Sequence, residues 1–395
     1  MNRRDALRLM LSGAVAGCAA GVSACRRPTE AVAEPSSAVV GPEPELRLAA
    51  QGLRSVERWV HPALHYERRE KKRVVCRLCP RECLVGDRER GFCGSRENRG
   101  GSYYTLVYGQ AAAANIDPIE KKPFFHFLPG TRAFSIAAAG CNMDCRACQN
   151  WEISQARPEQ IAGARDLPPA QVAAGALQTR CSSIAYTYSE PTVFYEYMLD
   201  TAKAGHAQGV RSVMVSGGYI RPGPLRQLLP HLDAVKIDLK SFREETYVDY
   251  CRSHLQPVLD AIRVVAGVGK WLEIVYLVVP GVNDSSTEVR DMSRWLLQVA
   301  GPGVALHFSR FFPAYQLTNL PPTPLSTLER CYQTARAAGL QYVYVGNIAD
   351  PRRASTVCPG CGEVVVRRDA MRLIENRLRN GSCPKCGHRV PGVWA

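Results

Sequence analysis

The sequence has no run of about eighteen consecutive apolar residues, so it does not encode an ordinary polytopic membrane protein. It also lacks a basic stripe interleaved with aromatic residues, which is the pattern that favours nucleic-acid binding. The formal net charge is +14, but many of the arginines lie in the two tails, so no nucleic-acid partner is expected. Charged residues are only 22% and hydrophobic residues 46% of the chain, a balance that allows a packed core and excludes wholesale disorder.

Cysteine, by contrast, is abundant. The 395 residues include 16 cysteines, most of them in spaced groups, which is typical of a metalloprotein. Three others, Cys181, Cys251 and Cys331, stand alone. They are predicted to be small buried hydrophobic residues rather than metal ligands.

Residues 1–27 have the parts of an export signal. Arg3 and Arg4 precede a mildly apolar stretch at residues 9–17, and the sequence NRRDALR resembles a twin-arginine signal. Cys18 ends the sequence VAGC, which resembles a lipobox, so this cysteine is a candidate for lipidation and for a membrane tether. We therefore expect an exported protein, periplasmic or membrane-anchored. A cytoplasmic protein that keeps this segment as a helix is the alternative, and residues 28–45 are expected to be a linker.

The first cysteine group consists of Cys76, Cys79, Cys83 and Cys93. Two close pairs of thiols around a turn suit a tetrahedral zinc ion, and they could also hold an iron–sulfur cluster. Disulfide bonds are a third interpretation for an exported protein. The group is predicted to bind metal, with the choice between zinc and a cluster left open.

The second group has the spacing C-x3-C-x2-C and consists of Cys141, Cys145 and Cys148. Three thiolates on so short a loop can hold three irons of a cubane cluster. No fourth cysteine is adjacent in the sequence, so one iron would stay open to a ligand from outside the protein. The apolar run at residues 133–139 predicts a buried strand directly before the loop. A zinc knuckle that lacks one ligand is the alternative.

The third group consists of two CPxCG knuckles, which contain Cys358, Cys361, Cys383 and Cys386. Glycine lets each knuckle turn so that its N–H groups face the sulfurs. Two such knuckles predict a zinc ribbon. Its role is expected to be structural, because four thiolates leave no open position on the ion.

Short apolar strands alternate with helical segments between the second and third groups. Strands are predicted at residues 133–139, 183–188, 210–215, 232–239, 272–279, 304–308 and 341–345. This alternation predicts a parallel α/β sheet, with a full or partial barrel as the best fit. A doubly wound sheet is the runner-up, although no GxGxxG follows the first strand. Polar residues just past the strand ends would converge on one rim of a barrel.

The cysteine loop after the first of these strands resembles that of the radical S-adenosylmethionine (SAM) superfamily. Within it, the chain is similar to the branch of the pyruvate formate-lyase-activating enzyme, and more closely to the radical SAM component of the AmmeMemoRadiSam system. The resemblance covers roughly residues 74–395. It is carried by residues 115–126, 140–155, 186–196, 238–240, 279–284 and 307–311.

The resemblance implies that Cys141, Cys145 and Cys148 hold a [4Fe–4S] cluster whose fourth iron is chelated by SAM. An electron from the cluster would cleave SAM to methionine and a 5′-deoxyadenosyl radical, which removes hydrogen from a substrate. It also implies an electron donor such as flavodoxin or ferredoxin, and partners that are Memo-like and AMMECR-like. A glycyl-radical-enzyme activase is one alternative. An exported iron–sulfur electron carrier or metal-handling protein is the non-enzymatic one.

The resemblance also implies contacts with SAM. Glu190 takes the position that contacts the SAM amine, Ser216 and Gly217 lie near the SAM carboxylate, and Asp238 and Lys240 match an Asp-Leu-Lys motif that contacts SAM. The alternatives are a surface charge for Glu190 and an ion pair on the rim for Asp238 and Lys240.

Two further residues, His307 and Arg310, either bind substrate or cap the sixth strand. The chain departs from the family pattern at Ala147, where an aromatic residue near adenine is usual, and at Gly217, where asparagine is expected.

The resemblance implies a partial (β/α)6-type barrel with a cysteine module on each side. The predicted parts are a signal at 1–27, a linker and extension at 28–73, a four-cysteine module at 74–130, the radical SAM core at 131–350 and a zinc-ribbon module at 351–395.

Overall fold

The computed structural model describes residues 55–394. The predicted export signal, Cys18 and most of the linker and extension lie outside the described residues, so those assignments stay predictions. No helix in the described part of the chain is long and apolar enough to span a membrane.

Short antiparallel strands form the first part of the described chain. They are β1 (His61–Pro62), β2 (Tyr66–Arg68), β3 (Val74–Cys76), β4 (Leu84–Val85), β5 (Arg96–Arg99) and β6 (Ser102–Thr105). Two small sheets result, one with the order β1-β6-β5 and one with the order β2-β3-β4. Cys76 ends β3, Cys79 and Cys83 lie in the connection to β4, and Cys93 lies just before β5.

Longer strands and helices follow. They are β7 (Gln110–Ala111), β8 (Ala113–Pro118), β9 (Arg132–Ala137), α1 (Trp151–Ser154), β10 (Arg165–Asp166), α2 (Pro169–Gln178), β11 (Ser183–Tyr186), α3 (Tyr195–His206), β12 (Arg211–Ser216), α4 (Pro222–Leu228), β13 (Ala234–Asp238), α5 (Glu244–Cys251), α6 (Leu255–Gly267), β14 (Trp271–Val278), α7 (Ser286–Ala300), β15 (Ala305–Arg310), α8 (Leu325–Ala337), β16 (Tyr342–Gly346), α9 (Pro351–Ala354), β17 (Thr356–Val357), β18 (Val364–Asp369) and β19 (Arg372–Asn376).

An eight-stranded sheet with the order β16-β15-β14-β13-β12-β11-β9-β8 forms the centre. All its strands from β9 onward run parallel, whereas β8 pairs antiparallel with β9. The spatial order follows the chain without the reversal that defines a doubly wound sheet, which contradicts that alternative. Within residues 55–394 the two edge strands do not pair with each other, so the sheet is open. The mixed α/β class is confirmed, and the partial barrel stays a prediction.

Every predicted strand is present, and its ends differ from the prediction by two residues at most. Strand β8 was not predicted, because its sequence AANIDP shows neither a continuous apolar run nor clear alternation. It belongs to the stretch assigned above to the four-cysteine module, yet it is hydrogen-bonded along β9.

The central strands are buried on both faces, which is why they read as nearly continuous apolar runs. In β14, Ile274 and Val275 point to opposite faces, and both are buried. Helix α6 covers one face of the sheet with an apolar stripe that includes Val258, Ile262 and Val265.

The C-terminal segment forms a three-stranded sheet with the order β17-β18-β19. It packs against the edge of the central sheet through a separate apolar cluster. Tyr342 and Tyr344 of β16 contribute to this cluster, together with Val365 and Val366 of β18. The cysteine knuckles therefore belong to a module that is attached to the end of the sheet by hydrophobic contacts.

The central core sets the stability of the sheet. Ile274→Ala removes a fully buried side chain and is expected to cost about 2–5 kcal/mol of unfolding free energy, because it leaves a cavity. Thermal unfolding followed by circular dichroism should show a clear drop in Tm. The matched control, Leu177→Ala, changes a side chain that is 56% exposed and should leave Tm nearly unchanged. Equal shifts for the two variants would contradict this description of the core.

Candidate active site

The loop that carries Cys141 begins with a turn that only glycine permits. Gly140 has φ +97°, and a Cβ there would lie 2.1 Å from Ser95 Oγ and 2.6 Å from the carbonyl oxygen of Cys93. The hydroxyl of Ser95 also donates a hydrogen bond to the carbonyl of Ala139 at 2.7 Å. The start of the loop is thus held tightly against the N-terminal cysteine segment.

The three thiols of this loop line one cavity of about 520 Å³. Val215, Val275 and Leu277 line the same cavity, from the ends of β12 and β14. This is the edge at which parallel strands present their carboxyl ends, as predicted from the position of the loop after β9. Burial raises the pKa of the Cys141 thiol, so a positively charged group is needed to hold it as a thiolate.

The spacing of these thiols fits a polynuclear cluster better than a single ion. A Zn–S bond of about 2.3 Å puts tetrahedral sulfurs about 3.8 Å apart. The sulfurs of Cys141, Cys145 and Cys148 do not all lie within 4.8 Å of one another. In a cluster each thiolate binds a different iron, which requires such wider spacing. The alternative of a zinc knuckle with a missing ligand therefore fits the geometry poorly.

Glu190 lies in the wall of this cavity and joins two neighbouring strand ends. Its Oε1 accepts hydrogen bonds from Thr192 N and Thr192 Oγ1 and, at 2.6 Å, from Ser216 Oγ. Its Oε2 accepts one, from the backbone N–H of Gly217 at 2.8 Å. Glu190 is only 4% exposed, which excludes its interpretation as a surface charge. The predicted residues Glu190, Ser216 and Gly217 are therefore one hydrogen-bonded unit.

Gly217, where asparagine is expected, lies close to the cysteine loop. A Cβ on Gly217 would lie 2.8 Å from Met143 Sδ and 3.3 Å from Glu190 Oε2. Met143 belongs to the cysteine loop, so the close approach brings that loop against the end of β12.

Asp238 and Lys240 line the same cavity. Lys240 Nζ lies 3.1 Å from Asp238 Oδ2, and Lys236 Nζ contacts Asp238 Oδ1. Burial alone would raise the pKa of Asp238, but the two lysine charges outweigh it and lower the pKa to about 2. The ion pair predicted as the alternative is present, and it faces the cavity that the cysteines line.

Comparison with known proteins agrees with this geometry. The model of the radical SAM superfamily matches residues 135–292. An uncharacterised protein of Methanocaldococcus jannaschii is 39% identical over 330 residues, which are 83% of this chain and 98% of that protein.

The chain belongs to the radical SAM superfamily. Membership implies a [4Fe–4S] cluster and SAM as cofactors.

Two solved structures show lower similarity to the chain. A radical SAM methyltransferase from Sphaerobacter thermophilus has a TM-score of 0.44 at 18% identity, over 56% of this chain and 68% of that chain. A domain of a pyruvate-formate lyase-activating enzyme from Bacteroides vulgatus has a TM-score of 0.37 at 18% identity, over 42% of this chain and 99% of that chain.

The structure does not bring His307 and Arg310 into the radical SAM cavity. His307 is buried, and its Nε2 lies 2.6 Å from Glu273 Oε2. Arg310 Nε donates to the carbonyl of Thr323 at 2.8 Å, which ties the end of β15 to the next loop. Of the two interpretations, this geometry supports the structural one. Ala147, where the family usually has an aromatic residue, does line the cavity.

Cys251 is a residue of the site that the sequence did not reveal. It is buried at the end of α5, and its thiol lowers the pKa of the Cys145 thiol. The backbone N–H of Asp144 donates to the carbonyl of Cys251 at 3.0 Å. More than a hundred residues separate Cys251 from the cluster loop, so no local pattern could have paired them. The prediction that Cys251 is merely a small hydrophobic residue misses this contact.

Lys122 is a second residue of the site that the sequence did not reveal. Its ammonium lies 2.6 Å from Asp117 Oδ2 and 4.1 Å from the centre of the Tyr188 ring, and its side chain lines the cavity. Burial lowers the pKa of Lys122 to about 8, against the opposing effect of Asp117. The cavity thus contains an amine that can take up or release a proton near neutral pH.

The C-terminal cysteines have the spacing of a zinc site. Cys358 Sγ lies 3.5 Å from Cys386 Sγ, and Cys361 Sγ lies 3.7 Å from Cys383 Sγ. These distances match the edge of about 3.8 Å that Zn–S bonds impose. All four sulfurs lie within 4.8 Å of one another, unlike any other cysteine group of residues 55–394.

The cluster loop and the C-terminal quartet are expected to respond separately to mutation. Cys145→Ala should remove the SAM-responsive electron paramagnetic resonance (EPR) signal of reduced protein and lower the iron content, because one iron loses its thiolate. Zinc content should stay unchanged, and Cys331→Ala is the matched control. Retained iron together with lost zinc would show that the two groups are assigned the wrong way round.

We expect the Cys251 thiol to donate a hydrogen bond to Cys145 and thereby to tune the cluster. A donor to a thiolate ligand stabilises the more electron-rich reduced state, so Cys251→Ala should keep the cluster but make its reduction potential more negative. Potentiometric titration followed by EPR measures this shift, with Cys331→Ala as the control. Loss of the whole cluster would instead identify Cys251 as a ligand, and an unchanged potential would contradict the hydrogen bond.

Proposed function

We propose that this protein is a radical SAM enzyme that binds a [4Fe–4S] cluster through Cys141, Cys145 and Cys148 and reductively cleaves SAM. One observation carries the proposal. The three thiols, the Glu190 unit and the Asp238–Lys240 pair all line a single cavity at the carboxyl ends of the parallel strands. An iron–sulfur electron carrier has no use for the last two.

When bound, the cluster and SAM would supply the chemistry of the reaction, which is the reductive cleavage of SAM and the removal of hydrogen from a substrate. The protein provides binding and orientation. Its three loop thiols would hold the cluster and leave one position without a protein ligand.

Glu190 is suited to bind the amino group of SAM. Its Oε1 already accepts three hydrogen bonds, whereas Oε2 accepts only the one from Gly217. A carboxylate oxygen has room for a further donor, and a charge-assisted bond to an ammonium is among the stronger kinds. The bonds from Thr192 and Ser216 fix the carboxylate, so little orientation is lost when it binds.

The charges around Asp238 are suited to the rest of SAM. Asp238 lies between two lysines, so it stays ionised at neutral pH. Lys240 has one anionic partner at 3.1 Å and lines the cavity, where it can also attract a carboxylate. Asp238 and its two lysines can therefore bind a ligand that carries both positive and negative groups, and no charged side chain of the cavity wall is left without a partner.

We further propose that the protein is the radical SAM component of an AmmeMemoRadiSam system, with Memo-like and AMMECR-like partners. The sequence stretches 115–126 and 186–196, which carry this resemblance, include residues of the candidate active site. Asn115 Nδ2 donates to Tyr188 Oη at 3.3 Å, and Lys122 and Tyr188 line the same cavity as Glu190. The resemblance therefore includes residues that line the candidate site, and not only core residues.

The test is anaerobic reconstitution of the full chain, followed by dithionite and SAM, with detection of 5′-deoxyadenosine by chromatography. Wild-type protein should form it. Glu190→Gln should weaken SAM binding about 10- to 100-fold, because a charge-assisted hydrogen bond is lost. Asp291→Asn, at an exposed position on α7, is the matched control. A cluster that forms without any 5′-deoxyadenosine would refute the enzymatic proposal in favour of the electron carrier.

A further inference from the structure

The four cysteines of the N-terminal group line a cavity of their own. Cys76, Cys79, Cys83 and Cys93 all contribute to its wall. The backbone N–H of Cys76 donates to the carbonyl of Cys83 at 3.0 Å, which closes the turn between β3 and β4 around them. All four are free thiols, so disulfide bonds do not account for the group.

Their spacing differs from that of the C-terminal quartet. A single zinc ion requires sulfurs about 3.8 Å apart, and the C-terminal quartet meets that requirement at 3.5 and 3.7 Å. Among the N-terminal four, no three sulfurs all lie within 4.8 Å of one another. The three sulfurs of the radical SAM loop do not meet this limit either. Within one chain, then, one quartet has zinc geometry and the other does not.

Two buried donors without acceptors line this second cavity. Arg96 and Tyr103 are each only 1% exposed, and neither Arg96 Nε nor Tyr103 Oη has a hydrogen-bond partner in the described structure. The other nitrogens of Arg96 are paired, with Glu196 and with the carbonyl of Leu64. A buried donor left unsatisfied costs about 1–3 kcal/mol, so an acceptor is expected in the cavity.

A backbone hydrogen-bond donor also supports a negatively charged centre at this site. The N–H of Phe92 donates to Cys83 Sγ at 3.4 Å. Thiolates that bind metal clusters typically accept such bonds, which stabilise the negative charge on sulfur.

We propose that Cys76, Cys79, Cys83 and Cys93 bind a second iron–sulfur cluster. The wide spacing disfavours zinc, and the anionic thiolates and sulfides of a cluster provide the acceptors that Arg96 and Tyr103 lack. With four protein thiolates this cluster has no open position, so it does not bind SAM. The inference goes beyond the proposed function, because it concerns a different set of ligands.

The two metal sites are adjacent. Arg81 lies between Cys79 and Cys83, and its Nε donates to the carbonyl of Asn142 at 2.6 Å. Asn142 directly follows Cys141 in the radical SAM loop. Cys93 and Cys141 also line a shared cavity between the two segments. A cluster at the N-terminal site would therefore lie directly beside the cysteine loop of the SAM site.

The experiment uses the full chain, reconstituted anaerobically with iron and sulfide, with iron and zinc measured per chain. In a variant with Cys141, Cys145 and Cys148 all changed to Ala, about half of the iron should remain. This variant should still give an EPR signal when reduced, and SAM should not alter that signal. The control Cys331→Ala should keep all of the iron.

The reverse variant, Cys79→Ser with Cys83→Ser, should also lose about half of the iron but keep the SAM-responsive signal. It decides the question if the triple variant does not fold. A triple variant without iron and with a second equivalent of zinc would overturn the proposal, as would unchanged iron in the reverse variant. Failure of the proposed function is separate: the reverse variant would then show a cluster signal that SAM does not change.

Discussion

The carboxylate of Glu190 is the interaction on which the site depends. It follows β11 and accepts hydrogen bonds from Ser216 and Gly217 at the end of β12, so it fixes two adjacent strand ends relative to each other. The closeness of Gly217 to Met143 then places the cysteine loop over the same edge. This buried acceptor therefore ties the loops after β11 and β12 together at the edge where the cysteine loop lies.

A second buried carboxylate, that of Glu273, lies at the opposite end of the sheet interior. Glu273 accepts hydrogen bonds from the backbone N–H groups of Phe125 and His126 and from Trp271 Nε1, and it pairs with His307. Burial opposes ionisation of Glu273, but the hydrogen bond and charge of His307 outweigh it and lower the pKa of Glu273. This network explains why His307, although on a strand that borders the cavity, serves packing at the far end.

Sulfur spacing distinguishes the C-terminal cysteine quartet from the other two cysteine groups. A single ion needs its ligands on one small tetrahedron, and the sulfurs of Cys358 and Cys386 lie 3.5 Å apart, as such a site requires. A polynuclear centre holds its ligands apart, and the cysteines of the N-terminal group and of the radical SAM loop lie apart in this way. The hydrogen bond from Phe92 to Cys83 and the effect of Cys251 on the pKa of Cys145 would add a second level of control, because donors to sulfur tune a metal centre.

The sequence alone determined the parallel strands and the order of the cysteine groups, because periodicity and spacing are local properties of the chain. Its resemblance to a known family pointed to Glu190, Asp238 and Lys240. The tertiary structure decided the rest. It brought Cys251 to Cys145, placed Lys122 in the cavity, turned His307 towards Glu273 and set the distances between sulfurs. Those facts depend on which residues meet across a hundred positions or more, and on where each side chain points. A single sequence does not contain either, because both follow from packing of the whole chain.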